Sequence, residues 1–452
     1  MKVKLLGSIA VLGMLSACGI VELESGQSEG NGVWVSPSHG SGESDSDKGN
    51  PGPTPPRQSL YMTTVEYPKG YDWRQDLHRG SVRCSIVVYK EGKPIMKLAV
   101  GDEYHVSSDA DMHRLVGCDL YTDYSTDYET IIKRNGQECF RYSARESIYG
   151  IKVVGNDVYT LGQSRSGQGF SFRRNGEALL VRNSGSLYSH FDHDMDGGFS
   201  FSYSQEVSSQ AGKIQRHYLV RDTLVCQVAM REDILYVWDV ILHDGQPCYV
   251  ASAKGINGLL LVDGEQLYAL DIPASAMVFA AQILLLEDDI IVEAVIGADA
   301  GFSSIIWRNG ELVRNFSGSL TVVAFDSSGE GLSCALNSPY RNGGGLIYSE
   351  SDEYEIPMGY VCPTDKALAR KDGIMYVGLS SVSGGCPCVW TESQIEPLSV
   401  NGFITEVVSV IQSLDSLLSR KQYPAASARS PGSRSSRESM SAIVLASFMT
   451  LK

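Results

Sequence analysis

The sequence predicts an all-β protein, a β-propeller of four-stranded antiparallel blades, most simply eight of them. Three observations predict it. From Tyr61 to about Val410 short alternating β-type runs follow one another between turn residues, with no sustained helical period. One phrase recurs: an apolar or aromatic strand, a basic residue, a two-residue turn, a second short strand. A second series of turns interleaves with the first, which makes four strands in each repeat of roughly 43 residues.

The elements follow in chain order. Lys2 and Lys4 precede an apolar run from Leu5 to Leu15, and Leu15-Ser16-Ala17-Cys18 follows. A positive start, a short apolar stretch and small residues before a cut site describe a secretory signal, here residues 1–17. The run is too short to span a bilayer. Leu-Ser-Ala-Cys resembles the lipobox of bacterial lipoproteins. That resemblance implies acylation of Cys18 and cleavage just before it, so that Cys18 begins the mature chain. Two or three acyl chains anchor a protein stably. Gly19, rather than Asp, at the next position resembles lipoproteins sent on to the outer membrane. The expected partner is therefore a membrane, reached through an N-terminal lipid, with the body on either its periplasmic or its outer face.

Residues 18–56 form a tether. Ser, Gly and Pro dominate from Ser25 to Pro56, ending in Pro51-Gly-Pro-Thr-Pro-Pro56. Such a stretch cannot bury enough apolar surface to fold, and its proline end should be stiff and extended.

Residues 57–410 are the propeller. Ile131-Ile-Lys-Arg-Asn135-Gly136, Phe170-Ser-Phe-Arg-Arg-Asn175-Gly176 and Ile305-Ile-Trp307-Arg-Asn309-Gly310 are copies of the repeated phrase. Leu259-Leu-Leu-Val-Asp263-Gly264 is a fourth, and Glu91-Gly92 a weaker fifth. Asn-Gly and Asp-Gly suit the tight hairpin turn in which both central residues take positive φ. Degenerate copies at Asp222, Ser351 and Glu392 bring the series to eight, spaced about 40 to 47 residues apart. Seven blades would follow if one degenerate copy were not a turn. A β-sandwich with many hairpins would show no fixed period. The first copy lacks a preceding inner strand, and Gly402 to Val410 could supply it, closing the ring and leaving no open edge. With its Trp-Arg-Asn-Gly hairpin and its lipobox, the chain resembles a group of poorly characterised bacterial lipoproteins with β-propeller bodies. The shared motif marks a turn, so the resemblance implies a fold and carries over no catalytic residue.

Residues 411–452 depart from all this. They are basic, with six Lys/Arg against two acids, rich in Ser, Arg and Ala, and expected to be disordered. The whole chain carries −15, which argues against nucleic acid as a partner, because phosphate contacts need cations.

Several places could carry chemistry. Asp192-His-Asp194-Met-Asp196-Gly puts three carboxylates on one tight loop, a spacing of hard oxygen ligands that suits Ca²⁺. It is equally a hairpin turn, where Asp and Gly are expected. No other cofactor is implied. Glu103, His105, Asp109, Asp111 and His113 form a second polar cluster between two blades. In a propeller the loops from second to third strand, and from blade to blade, share one face. There Tyr124, Tyr128, Arg165, Tyr340 and Arg341 are the candidate ligand-binding residues, since Tyr and Arg supply rigid amphipathic contact. Nine cysteines remain after Cys18, so at least one is unpaired. A bridge from Cys362 to Cys386 or Cys388 would link two loops of that face.

The sequence contains no phosphate-binding glycine loop and no His-Glu-x-x-His. The leading expectation is thus a lipid-anchored envelope propeller that serves as a platform for a glycan, peptide or protein ligand. Two alternatives stand beside it. One is a propeller enzyme acting on glycans as a lyase or hydrolase, with carboxylates at the channel mouth. The other is a structural subunit of an outer-membrane complex.

Overall fold

The computed structural model describes residues 58–72, 84–100, 113–125, 128–164, 169–193, 198–209, 212–286, 289–298, 301–316, 318–326, 331–338, 342–392 and 394–411. They form eight antiparallel sheets, the blades of a β-propeller. Blade 1 joins the first and last described strands. Its innermost strand is Gly402–Ile411, followed outward by Gln58–Glu66, Cys84–Lys90 and Lys93–Val100. Thus Gln58 pairs with Ile411 and Glu66 with Gly402, the closure expected from the sequence. Blades 2 to 7 run in simple order through 113–142, 146–182, 186–227, 234–271, 277–315 and 321–356. In blade 8 the innermost position is split between Tyr360–Val361 and Leu368–Lys371, both paired to Ile374–Ser381.

The core is a ring of wedges. Both faces of each sheet are apolar, so alternate residues along a strand serve opposite neighbours. Leu60 and Met62 pack toward blade 8, while Tyr61 and Val65 pack toward blade 2. Eight buried clusters result, one for each blade junction around the ring. The wedge between blades 3 and 4 is aromatic, built on Phe170, Phe172, Phe191, Phe199, Phe201 and Tyr203. Between blades 5 and 6 it is aliphatic around Trp307.

The repeated phrase is a structural clasp. Turns from first to second strand and from third to fourth strand lie at the same end of the blade. Asn135, Asn175 and Asn309 take φ of 52°, 50° and 50° in the third-to-fourth turn, followed by glycines at 81°, 85° and 85°. Each Asn side chain then spans to the other turn. Its Oδ1 accepts the N–H of Leu120, Val158 or Ile290 at 2.8 Å, and its Nδ2 donates to Asp119, Asp157 or Asp289. The arginine before it reaches the same aspartate. Glu91 and Asp222, at positive φ, accept the equivalent N–H from Leu60 and Phe199.

Blade 5 differs from the expected Asp263-Gly264 turn. Asp263 is the last residue of its strand, and Gly264 takes the first positive φ, 55°. The Asp263 carboxylate is held instead by His243 Nδ1 at 3.0 Å.

Candidate binding face

The architecture separates two ends. The tight turns, with Gln58 and Ile411, lie at one; the second-to-third loops and blade connections lie at the other. The loop-bearing end is where the sequence places a site. Tyr128 stands 84 % exposed in the bend before Thr130–Arg134. Tyr124 is half-buried in Asp119–Ser125, paired with Ile131. Arg165, Tyr340 and Arg341 lie outside the described residues.

Sequence reasoning missed two aromatic pairs at this end, on adjacent blades. Tyr236, 40 % exposed, meets Trp238 edge-on with ring centroids 4.7 Å apart. Trp238 Nε1 donates to Ser252 Oγ at 3.0 Å, which fixes the pair. On blade 6 Phe279 meets Phe302 at 4.8 Å, also edge-on, and both rings are about two-fifths exposed. A Cβ on Gly297 would come within 2.4 Å of the Phe279 ring, so glycine leaves the room that this ring occupies. Leu235 and Met277, about 70 % exposed, begin the same innermost strands. The available signal was position: apolar residues open an inner strand directly after a blade connection, where a polar loop is expected.

Bulges aim these side chains. Trp238 and Phe279 are each the extra residue of an innermost strand against its partner, as are Tyr149, Val323 and Thr405 in other blades. A bulge bends its strand and re-aims the residue it carries.

The buried ionisable groups hold blades together. Asp239, just past the Trp238 bulge, accepts the N–H of Ile283 on the next innermost strand at 2.9 Å. Glu406, just past the Thr405 bulge, accepts the N–H of Leu115 at 3.1 Å. Between blades 6 and 7 the link runs through Ser304. Its Oγ accepts from Val322 N–H and donates to Glu293 at 2.6 Å. Burial pushes the Glu293 and Glu406 carboxyls up to about 7, because a charge there has lost its water. Glu146 accepts from Ser171 Oγ, Tyr142 OH and Arg173, across blades 2 and 3. His113, from the second polar cluster, is buried and shares a 2.6 Å hydrogen bond between its Nε2 and Thr405 Oγ1. Its sequence companions Glu103, His105, Asp109 and Asp111 lie outside the described residues. His217 bonds Tyr188 OH through Nδ1 at 2.6 Å, and burial pulls its pKa down to about 4.

Of the proposed calcium loop, Asp192 is exposed near the end of Ser186–His193 and pairs with Ser200, at the tight-turn end. Asp194 and Asp196 lie outside the described residues, as does Cys18. Among the described residues no group of three or more His, Cys, Asp or Glu is placed to hold a metal. All nine described cysteines are free thiols, so the bridge from Cys362 to Cys386 or Cys388 is absent. Cys362 is buried and its Sγ lies 3.5 Å from Thr364 O; Cys388 is buried in its own strand, and Cys386 is exposed.

No family model and no curated protein matches the chain. Solved structures do. A dihydro-heme d1 dehydrogenase is 9 % identical over 76 % of this chain and 74 % of its own, with a TM-score of 0.47. The β-propeller domain of the Trilobed protease from Pyrococcus furiosus is 12 % identical over 67 % of this chain and 92 % of its own, with a TM-score of 0.41. A eukaryotic initiation factor is 9 % identical over 77 % and 98 %, with a TM-score of 0.40. Likeness at this level is silent on activity.

Proposed function

We propose that this chain is a lipid-anchored propeller of the outer membrane whose loop-bearing end is a platform for a glycan, peptide or protein ligand. The observation that carries the reading is the pairing of Gln58 with Ile411 at the tight-turn end. A tether from acylated Cys18 enters the body there, so the opposite end, with Tyr128 and the pairs Tyr236–Trp238 and Phe279–Phe302, is turned away from the membrane. Rigid aromatic groups give contact area at low entropic cost, which suits them to ligand capture. Tyr124, at the end of its strand, and Arg165, Tyr340 and Arg341, named from the sequence repeat, would extend the contact.

Two measurements test this. Cys18→Ala should move the protein from the membrane fraction to the soluble one and abolish acylation by mass spectrometry; an unchanged distribution removes the anchor. A thermal-shift panel of glycans and peptides on the intact chain tests the platform, with Ca²⁺ and EDTA as further arms. A ligand at about 100 times its Kd adds roughly 2.7 kcal/mol. The shift should vanish in Tyr236→Ala or Phe279→Ala. A shift that survives both variants places the ligand elsewhere, and a Ca²⁺ shift lost in Asp194→Ala would make the acidic loop a metal site.

A further inference from the structure

Blade 4 carries a ribbon that its own sheet does not use. Its second and third strands, Phe199–Ser209 and Gly212–Arg221, pair without interruption from Ser200↔Arg221 to Ser209↔Gly212. The innermost strand stops alongside at Ser186↔Ser204, and the outermost at Tyr218↔Gln227. Beyond them the pairs Glu206↔Gln215, Val207↔Ile214 and Ser208↔Lys213 project from the loop-bearing end as two strands, flanked by no other strand of the described residues.

The register fixes which backbone groups face outward. Asp222 N–H donates to Phe199 O, so by alternation Val207 and Ile214 exchange their hydrogen bonds with each other. Lys213 and Gln215 therefore point their N–H and C=O away from the ribbon. His217, next in that series, gives its carbonyl to Val228 N–H on the same edge. A two-stranded ribbon is marginal alone, and an open edge is a template for another strand. Lysine is a common guard on such an edge, but the charge of Lys213 is met by Glu206 Oε1 at 2.5 Å.

We propose that the Gly212–Arg216 edge pairs antiparallel with the same edge of a second copy, about a two-fold axis through Ile214. This inference does not depend on the lipid anchor or on the ligand platform. The sequence of the edge is self-complementary. With Ile214 facing Ile214, Lys213 lies opposite Gln215 and Gly212 opposite Arg216, so no like charges meet. The two outward-facing residues of one copy meet the two of the other, which is the hydrogen-bonded register. Ile214, 40 % exposed, gains its own copy as a neighbour, and the row Val207–Ile214–Ile214–Val207 crosses one face of the resulting four-stranded sheet. The interface is isologous and closed, so it stops at two copies.

Sedimentation and light scattering of the full chain in detergent, over a wide concentration range, test it. A reversible dimer is expected. Lys213→Pro removes an outward N–H without touching the ribbon's own ladder and should weaken dimerisation at least about tenfold. Ile214→Lys should do the same by setting two cations face to face. Independently, Ile214→Cys should oxidise to a dimer whose disulfide joins the two introduced thiols, while Val207→Cys should not. A monomer at every concentration overturns the inference. So does a dimer that both Lys213→Pro and Ile214→Lys leave intact, or one in which Ile214→Cys forms no such link.

Discussion

The Asn175 side chain donates from Nδ2 to Asp157 Oδ1 at 2.7 Å, joining two turns that are 18 residues apart in sequence and adjacent in space. Its Oδ1 meanwhile accepts Val158 N–H, and its backbone N–H donates to Val158 O. One asparagine thus ties the outer hairpin of blade 3 to the inner one, and Asn135 and Asn309 repeat the arrangement in blades 2 and 6. The repeat visible in the sequence is the chemical requirement of this clasp: positive φ, an amide that both donates and accepts, and an aspartate opposite.

Asn175→Ala should therefore destabilise the protein by about 1–3 kcal/mol, combining lost hydrogen bonds with a Cβ residue that lacks a local bond to stabilise positive φ. Arg174→Ala, which removes the exposed ion pair to Asp157 and a guanidinium 6.0 Å from the centroid of the Tyr159 ring, should cost clearly less, about 1 kcal/mol or under. Urea unfolding of the two variants checks this. Equal losses would mean that the ion pair, not the amide, holds the turns.

Stability should fall as pH rises toward 7. Glu293 and Glu406 hold their protons in the folded state up to about 7, against an ordinary value of 4.5. Between those values the folded state binds more protons than the unfolded chain, so their contribution is full below about 4.5 and is lost as pH rises through 7. His217 acts in the opposite sense. Folded at about 4 against 6.5 unfolded, it favours the folded state increasingly as pH rises across that window. Two carboxyls outweigh one imidazole, and between 6.5 and 7 they act alone. Glu293→Gln keeps an acceptor for Ser304 and should flatten the profile by about 3 kcal/mol. Unfolding free energies measured at pH 5 and 7.5 read this directly; identical profiles for the variant and the parent would sink it.

The fold was largely legible and the linkages between blades were not, for a physical reason. A hairpin turn is local, so its demand for Asn-Gly shows within a few residues. The contacts of Asp239 with Ile283 N–H and of Glu406 with Leu115 N–H span 44 and 291 residues and end on backbone groups, which every residue has. The slip at Asp263 has the same origin, since His243 from another turn claims that carboxylate. The exposed loop position of Tyr128 was legible because loops of a propeller face are nameable from the repeat. The exposed position of Phe279 was not, because it depends on a bulge and on Gly297 beneath it.

Thiol reactivity should divide the cysteines by burial. Cys139, Cys226 and Cys386 are exposed, whereas Cys84, Cys248, Cys334, Cys362 and Cys388 are buried. Burial pushes the Cys362 and Cys388 thiols up to about 12, leaving little thiolate at neutral pH. Brief alkylation of the native protein, mapped by mass spectrometry, should label the first three and spare the other five. Protection of Cys386 together with Cys362 or Cys388, relieved by a reductant, would restore the disulfide between the loops.

The closing blade should be the first to open when its core is damaged. Ile404 is fully buried in the innermost strand of blade 1, facing blade 8, and a Cβ on Gly378 would stand 2.6 Å from its Cγ2. Ile404→Ala should cost about 2–5 kcal/mol, as should Leu261→Ala in the wedge between blades 5 and 6. The two losses differ in where they appear. Blade 1 joins strands from opposite ends of the chain, with Gln58 paired to Ile411, so loop-closure entropy opposes its reassembly more than that of any blade built from neighbouring hairpins. Hydrogen exchange should therefore rise at Tyr61–Glu66 and at 402–411 in Ile404→Ala before it rises elsewhere. In Leu261→Ala those amides should stay as protected as in the parent. Uniform exchange across all eight blades in both variants would show instead that the ring opens as one cooperative unit, with no preferred seam where its ends meet.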